Sequence, residues 1–572
     1  MAARLPHQSA VYTGALSAYQ RVGASLLRYF GPSVIEELDS TDPTGEALAL
    51  SGATMTQQTT ARPSPLTAQE RSTLAATVVG SSMAFLDGTV VNVALASLQA
   101  DLNATAAGVQ WVVNAYALLL AALTLSGGAL GDAYGRKKVY GLGVIVFALA
   151  SLACGLAPSL PVLIAARAVQ GVGAALLVPG SLAMIGAVFD PARRGRGVGL
   201  WSAASSVMTL LGPVAGGLLV DAGSWRWVFF INLPLAIGVL WLLRRVPETQ
   251  TPGARPDWPG AFSITTGLGG LAYAFTRAGE SGWDTLTWAS LGVSAMGFAF
   301  FLWHEARTEK PMLPLSLFRN PVFAGTNLLT FLLYGALGAV GLYLPLYLIG
   351  ALGYSATAAG ASLLPLSLLL AGLSGWFGAL ADKHGPGLFL TAGPVLAGVG
   401  FALLGLGRDW GGGSYWTAIL PGGLLLGFGM ALTVAPLSSA VMGSAGRERS
   451  GVTSGVNNAV SRAAGLLAVA ALGLLLVGSY RGALETRLTA AGASTQTRQS
   501  AAQQANRLTD LELPDGTGPE ARAAVKAAFG DAFGNVALAS GALGVLGGVA
   551  GFFSLRPPRK RRGKSSVKNV MR

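Results

Sequence analysis

The chain alternates between long apolar segments and short polar ones. Fourteen segments are apolar over about the 20 residues that one membrane-crossing helix requires. Interior Gly and Pro fit this interpretation, because packed membrane helices satisfy the freed backbone groups. The pattern predicts an all-α polytopic membrane protein with 14 transmembrane helices, at residues 73–98, 110–130, 139–157, 160–189, 197–220, 226–243, 258–276, 286–304, 321–350, 355–381, 387–407, 415–442, 452–478 and 535–555.

The composition excludes a soluble enzyme. Of the 572 residues, 52% are hydrophobic and 11% are charged, against about 25% charged in ordinary soluble domains. The one cysteine, Cys154, lies in an apolar segment, which rules out an intrachain disulfide or a cysteine-rich metal site. The three histidines are scattered, and Pro558 stands where a phosphate-binding loop needs glycine. We therefore expect no metal, no nucleotide and no other cofactor.

The loops differ in their content of Lys and Arg. With a cytoplasmic amino terminus, the loops on one side and the carboxyl tail hold 23 such residues, whereas the short loops opposite hold Arg226, Arg277 and Arg408. Because basic loops stay inside, we expect a multi-pass protein of the bacterial cytoplasmic membrane with both termini cytoplasmic. The net charge of +13 is then mainly a topology signal, and no nucleic-acid partner is expected. The basic run Arg559–Arg562 fits an orientation anchor or a contact with anionic lipid.

Three polar segments flank or interrupt these spans. Residues 1–72 lack the apolar core of a signal peptide and predict a retained cytoplasmic extension, with an amphipathic stretch at Ala18–Phe30. Residues 1–54 are either a dispensable extension or precede a natural start at Met55. Residues 479–534 predict a long, partly helical external loop, and residues 557–572 a basic cytoplasmic tail.

The sequence contains an internal repeat. GALGDAYG at Gly128–Gly135 recurs as GALADKHG at Gly378–Gly385, an offset of 250 residues that spans eight predicted helices. Two shorter echoes follow in the same order, with Arg194-Gly195-Arg196 repeated as Arg447-Glu448-Arg449. This predicts two six-helix bundles related by an axis along the membrane normal, at residues 73–244 and 321–556, with two inserted helices in residues 245–320.

Five motifs resemble those of a known family. They are LDGTVVNVAL at Leu86–Leu95, GALGDAYGRKK at Gly128–Lys138, RAVQGVG at Arg167–Gly173, GPVAGG at Gly212–Gly217 and WRWVFFINLP at Trp225–Pro234. Over about residues 73–556 the chain resembles the major facilitator superfamily, specifically its fourteen-helix drug:proton antiporter branch. The resemblance implies the major facilitator fold and a multidrug efflux function.

Asp87 is the one acidic residue that we place deep inside a span. A carboxylate at that depth costs several kcal/mol, about 2.5 to 3.5 on insertion scales, unless it is protonated, hydrated or paired. Asp87 is therefore predicted to be the proton-coupling site, with a structural hydrogen bond as the alternative. Arg167 lies at similar depth and is predicted to interact with Asp87 or its proton path, or else to be a structural clamp.

Two further groups follow from the resemblance. It implies a cytoplasmic gating loop that latches one side of the protein, formed by Gly128, Asp132, Gly135, Arg136 and Lys137 with Asp382 in the second repeat. It also implies an antiporter motif in which small residues allow close helix packing around a kink and limit leak, formed by Gly212, Pro213, Gly216 and Gly217.

The substrate pocket is expected near the midplane between the bundles. Polarisable side chains accept varied apolar shapes, and a few amides orient them. The alternative is a structural clamp for Arg462, a polar contact between helices for Asn458, and core or lipid-facing packing for the aromatic, Met and other Asn candidates. The candidates are Asn92, Asn114, Tyr116, Gln170, Trp201, Met208, Asn327, Tyr334, Tyr343, Asn458 and Arg462.

These observations predict a monomeric, non-enzymatic exporter in the lipid bilayer, in which amphiphilic drugs, dyes or specialised metabolites compete with protons. The proton gradient is the expected energy source. Neutral or monocationic substrates are expected over dications, because only one deep acid is present. Ala96 and Met208 depart from the family pattern, so its substrate range is not carried over. The alternatives are a proton-coupled uptake permease and a non-transporting membrane sensor.

Overall fold

The computed structural model describes residues 66–250, 256–309, 311–410, 414–445, 450–508 and 511–555. The stretch Ala18–Phe30, Arg447, Arg449 and the run Arg559–Arg562 lie outside these residues, as do most of the predicted extension and the predicted tail. Within the described ranges the regular structure is helical, with no β-strand. An all-α architecture is therefore confirmed.

The helices follow one another with short connections. In chain order they are α1 (Ala68–Asp101), α2 (Ala106–Tyr134), α3 (Arg136–Gly155), α4 (Leu160–Val188), α5 (Pro191–Ala222), α6 (Trp227–Phe230), α7 (Asn232–Leu243), α8 (Trp258–Ser281), α9 (Thr285–Arg307), α10 (Pro321–Gly350), α11 (Ala356–Ala361), α12 (Leu364–His384), α13 (Gly387–Trp410), α14 (Leu420–Gly443), α15 (Ser450–Ala490), α16 (Thr495–Gln503) and α17 (Pro519–Ser554).

Each of the fourteen predicted spans coincides with a helical segment. In the described part of the chain, twelve helices are long and apolar enough to cross a membrane. The two segments outside that count are α8 and the pair α6 and α7, which is interrupted near Ile231 and yields only a short apolar helix. For these two, crossing of the membrane remains a prediction from the sequence.

Polar side chains cap the first turns of several helices. At the start of α1 the Thr67 amide donates to Glu70 Oε2 at 2.8 Å, and the Glu70 amide donates to Thr67 Oγ1 at 3.2 Å. Thr105 and Ser355 cap α2 and α11 through their hydroxyl oxygens. These side chains satisfy amide groups that a helix leaves unpaired in its first turn. The helix ends therefore fall at the polar breaks in the sequence.

The helix contacts repeat along the chain. In the first bundle α1 packs against α5, α2 against α4 and α3 against α4. In the second bundle α10 packs against α15, α12 against α14 and α13 against α14. The same three pairings thus occur in the same order, as the duplicated sequence motif predicts. The two bundles meet where α2 contacts α15, α1 contacts α10 and α5 contacts α11.

The inserted helices α8 and α9 pack against each other, and α8 also contacts α2 and α15, one helix from each bundle. The short connection between α8 and α9 is held by an ion pair from Arg277 Nη2 to Asp284 Oδ2 at 2.5 Å. The Arg277 guanidinium and the Thr287 amide hold the pKa of Asp284 well below its usual range. This pair fixes the turn on the side predicted to be external.

The segment between the last two predicted spans is largely helical. Helix α15 continues to Ala490, and α17 begins at Pro519, well before the predicted start of its span at residue 535. The Tyr480 hydroxyl donates to the Leu508 carbonyl at 2.6 Å, and Arg487 pairs with Asp531. The two spans therefore extend beyond the predicted membrane region and are joined by α16.

Small residues allow α5 to approach two other helices. A Cβ atom at Gly216 would clash with Val90 of α1, and one at Gly217 would lie 2.5 Å from the Ala356 carbonyl oxygen of α11. Asp221 also accepts hydrogen bonds from the first amides of α11, including that of Thr357 at 2.8 Å. The α5–α11 contact is consequently close and includes a polar cap.

The variant Gly217→Val tests this contact. The added side chain would meet the backbone of α11, and such overpacking costs about 1–3 kcal/mol. We expect a lower unfolding temperature of the detergent-solubilised full chain. The matched control is Gly372→Val on α12, where an added Cβ meets nothing within 4 Å. Equal effects of the two substitutions would contradict the close α5–α11 contact.

Candidate functional site

A fully buried polar cluster joins helices of the first bundle. Asp87 on α1 and Gln170 on α4 are 0% exposed, and Arg167 on α4 is 1% exposed. Arg167 Nη1 lies 2.5 Å from Asp87 Oδ2 and 2.7 Å from Gln170 Oε1. Gln170 Nε2 donates to Asp87 Oδ1 at 2.8 Å. The structure thus brings together three residues that the sequence analysis selected. Arg167 and Gln170 lie one turn apart on α4, and the packing of α1 against α4 places Asp87 beside both.

Two residues that the sequence analysis did not select complete this cluster. Asn232 Nδ2 at the start of α7 lies 3.4 Å from Asp87 Oδ1 and 3.0 Å from Ser151 Oγ on α3. Ser151 Oγ also accepts from Gln170 Nε2 at 3.3 Å and donates to the Phe229 carbonyl at 2.8 Å. The signal for Asn232 was its position in the WRWVFFINLP motif, whereas Ser151 lies in an apolar segment without any motif.

Arg167 also contacts helix α2. Its Nε donates to the Val112 carbonyl of α2 at 3.0 Å, and its guanidinium carbon lies 4.3 Å from the centre of the Tyr116 ring. A buried ion pair is tolerated when both charges are paired and their other polar atoms are hydrogen-bonded. Both carboxylate oxygens of Asp87 and the Nη1 and Nε atoms of Arg167 have such partners, whereas Asn232 Oδ1 has none among the described residues.

Arg167 separates Asp87 from a central cavity between the bundles. The cavity has a volume of about 190 Å³ and is lined by Arg167 together with Asn92, Asn114, Tyr116 and Arg462. A second cavity of about 380 Å³ also includes Asn92 and Arg462 in its wall, along with Tyr334. Five of the predicted pocket residues therefore line these two cavities, and Arg462 lies at both.

The other pocket candidates are not among the residues that line these two cavities. Trp201 Nε1 donates to Ser81 Oγ at 3.0 Å, and the buried Tyr343 hydroxyl donates to the Val469 carbonyl at 2.8 Å. Gln170 belongs to the Asp87 cluster. Asn327 and Asn458 donate to carbonyls on their own helices, and Met208 is half-buried on α5. A substrate contact for each of these stays a prediction.

The predicted gating loop is the tight turn between α2 and α3. Gly135 has φ +107°, a conformation that favours glycine. Arg136 donates to Asp132 at 2.7 Å, and Glu248, which follows α7, accepts from the amides of Lys137 and Lys138 at 3.0 and 3.1 Å. The turn is thus attached to the end of the first bundle. The sequence analysis did not select Glu248.

The corresponding turn of the second repeat follows α12. Asp382 is exposed there and precedes Gly385, which has φ +85°. Gly128 lies near Pro179 of α4, with room for about one additional carbon atom. A glycine with positive φ therefore ends both turns. The second turn has Pro386 in place of Arg136, so it cannot form the ion pair found in the first turn.

The predicted antiporter motif lies on the α5 face toward α1 and α11. Gly212 faces Thr89 of α1, and the Pro213 carbonyl faces Gly360 of α11. Pro213 and Thr89 also line the larger cavity. The motif therefore borders the wall of the cavity as well as the contact between the bundles.

A second buried acidic cluster lies at the inserted helices. Glu305 near the end of α9 is 3% exposed, and its Oε2 accepts from the Leu313 amide at 2.9 Å. His304 Nε2 lies 2.8 Å from Asp257 Oδ1 at the start of α8. Within the described ranges no group of three or more His, Cys, Asp or Glu is arranged to hold a metal ion. The cluster links α8, α9 and the segment before α10.

Sequence comparison identifies the family. Residues 77–469 match the model of the Major Facilitator Superfamily, which is more than half of the chain. The chain belongs to the major facilitator superfamily. It is therefore a membrane transporter, and the all-helical architecture with a repeated bundle is the fold expected of that family.

Two curated relatives illustrate this membership, and one solved structure shares the fold. The multidrug resistance protein Stp of Mycobacterium tuberculosis is 36% identical over 421 residues, which cover 73% of this chain and 78% of that protein. The tetracenomycin C resistance and export protein of Streptomyces glaucescens is 32% identical over 413 residues, covering 71% and 75%. A bacterial homologue of the human lysosomal transporter Spinster aligns with a TM-score of 0.58 at 16% identity, covering 86% of this chain and 98% of that one. The last comparison shows the fold.

The Asp87–Arg167 pair is tested by a double-mutant cycle. Arg167→Gln leaves a buried carboxylate without its cation, and we expect a loss of about 3–5 kcal/mol in the free energy of unfolding. The double variant Asp87→Asn/Arg167→Gln should lose less than the sum of the two single variants, by about 0.5–3 kcal/mol. Denaturant unfolding of the purified full chain at pH 8 measures these values.

The matched control is the pair of Arg226 and Asp101, whose side chains are 33% and 48% exposed. Exposed pairs contribute about 0–1 kcal/mol, so Arg226→Gln should change stability little. Strict additivity of the two substitutions at Asp87 and Arg167 would show that the two groups are not coupled.

Proposed function

We propose that this transporter is a proton-coupled antiporter that exports amphiphilic small molecules across the cytoplasmic membrane by alternating access. The observation that carries the proposal is the buried Asp87–Arg167 pair, whose arginine lines the central cavity. The names of the relatives, which describe resistance and export, support the direction of transport. We further propose a monomer with both termini in the cytoplasm.

The pair offers a direct physical link between proton binding and substrate binding. Protonation of Asp87 removes the negative charge that faces Arg167 Nη1 at 2.5 Å. Because Arg167 also lines the cavity, the charge presented to a substrate depends on whether Asp87 holds a proton. Gln170 and Asn232 contact the same carboxyl group and can hydrogen-bond to either protonation state.

The proton gradient is sufficient as the energy source. At a membrane potential of 100 mV, one elementary charge is worth about 2.3 kcal/mol. This free energy corresponds to about a fiftyfold concentration ratio, before any pH difference is added. The proposal therefore requires neither nucleotide nor cofactor.

The cavities support an amphiphilic substrate. The larger one is lined mainly by aliphatic side chains such as Leu337, Leu344 and Leu366, with a few hydroxyl and amide groups. Such walls take up apolar bodies of varied shape, while a few polar groups orient them. Exchange would follow as the two bundles rock about this region and expose it to one side at a time.

The variant Asp87→Asn tests the proton coupling. It keeps the size of the side chain, removes the negative charge and replaces one acceptor oxygen by an NH2 donor. In proteoliposomes with an imposed pH gradient, we expect export of the neutral dye Nile red against its concentration gradient to fall to the level of protein-free vesicles. Trapped pyranine should at the same time report loss of substrate-dependent proton movement.

The matched control is Glu485→Gln, which removes an exposed carboxylate from the far end of α15. It should export the dye like the natural protein. Undiminished gradient-driven export by Asp87→Asn would contradict the proton-site assignment. Movement of dye and protons in the same direction would instead favour an uptake permease.

A further inference from the structure

Arg462 lies between the two bundles and has no ion-pair partner among the residues that the structure describes. It lies on α15, is half-buried and lines both the 190 Å³ and the 380 Å³ cavities. Its Nε is buried without a hydrogen-bond partner. No hydrogen bond or ion pair joins its side chain to any residue in the described ranges. An arginine at membrane depth normally pairs with a carboxylate or with backbone carbonyls. The Arg462 guanidinium has neither among the described residues, and a bound anion would supply the missing partner.

Among the described residues, no carboxylate lines either cavity and could pair with Arg462. Arg167 and Arg462 are the only Lys, Arg, Asp or Glu residues among the described side chains that line the two cavities. Asp87 lies behind Arg167 and is already paired with it at 2.5 Å. The Asp87–Arg167 pair is therefore close to neutral. With Asp87 ionised, the walls of the cavities carry one uncompensated positive charge.

A second unpartnered polar group lies in the same wall. Asn114 on α2 is 0% exposed, and neither its Oδ1 nor its Nδ2 has a hydrogen-bond partner in the described structure. A buried amide without partners costs free energy comparable to lost hydrogen bonds. Asn114 lines the smaller cavity together with Arg462. A guanidinium and an amide N–H are both donors, and together they suit an oxyanion.

We propose that the cavity selects amphiphiles that carry an acidic group, such as a carboxylate or a phenolate. The acidic group would pair with Arg462, with Asn114 as a second donor, and the apolar body would occupy the larger cavity beside Leu337 and Leu366. This inference rests on the proposed transport function and specifies its substrate class. It differs from the neutral or monocationic substrates that the count of buried acids predicts, because the one deep acid is already paired.

The test compares three fluorescent ligands with the same apolar body. Pyrenebutyric acid is an anion, its methyl ester is neutral, and pyrenebutylamine is a cation. Binding to the purified full chain in lipid nanodiscs is measured by fluorescence anisotropy, with empty nanodiscs subtracted. We expect the acid to bind about tenfold or more tightly than the ester, because a charge-assisted pair replaces an unpaired cation. The amine should bind most weakly.

Variants assign the preference to Arg462. Arg462→Gln should weaken the acid to the level of the ester while ester binding stays unchanged, which also shows that the apolar site is intact. Arg462→Lys should retain part of the preference, because it keeps the charge and loses the planar guanidinium. The matched control Lys526→Gln removes an exposed positive charge on α17, away from the cavities, and should retain the full preference.

Three results would overturn this inference. They are equal or tighter binding of the ester or the amine by the natural protein, an acid preference that survives Arg462→Gln, and absence of binding by all three ligands. The measurement is made at equilibrium without a gradient. Its failure therefore leaves proton-coupled export untouched, whereas failure of the Asp87→Asn experiment leaves the ligand preference untouched.

Discussion

The structure depends on how one buried charge is compensated. Asp87 and Arg167 come from helices α1 and α4, 80 residues apart, and each is essentially inaccessible to solvent. In a low-dielectric interior, either charge alone would be strongly unfavourable. Their pairing therefore fixes the position of α1 against α4. The amides of Gln170 and Asn232 then hold the carboxyl group from two more sides.

Small residues determine what surrounds this pair. Gly171 lies against the Tyr116 backbone of α2, and Gly173 against Phe147 of α3, so α4 packs closely with both helices. Such contacts supply van der Waals packing where lipid offers no hydrophobic driving force. The first bundle is consequently tight around the pair, whereas the space between the bundles remains open as the two cavities that meet at Arg462.

The two ends of the protein are secured differently. On the side predicted to be external, Asp221 caps α11, and the extended ends of α15 and α17 are joined by Arg487 and Asp531. On the opposite side, Glu248 caps α3, and the polar group around Asp257 and Glu305 links the inserted helices to the segment before α10. Contacts between the bundles on the first side are made by α5 and α11, the helices that carry Gly217 and Gly360.

The sequence alone predicted the helical class, a helical segment at each of the fourteen predicted spans, the repeat and the deep position of Asp87 and Arg167 within their helices. These follow from local hydropathy, from self-similarity and from the cost of charge in a membrane, none of which needs the fold. It did not indicate Ser151, because a serine in an apolar segment has no distinguishing pattern. It also did not show that α15 and α17 extend far beyond the predicted spans, since polar Ala-rich helices resemble loops in hydropathy. Only the tertiary structure showed that Asp87 is paired with Arg167, while Arg462 has no ion-pair partner among the described residues. Which charges are compensated depends on distances between helices that are far apart in the chain.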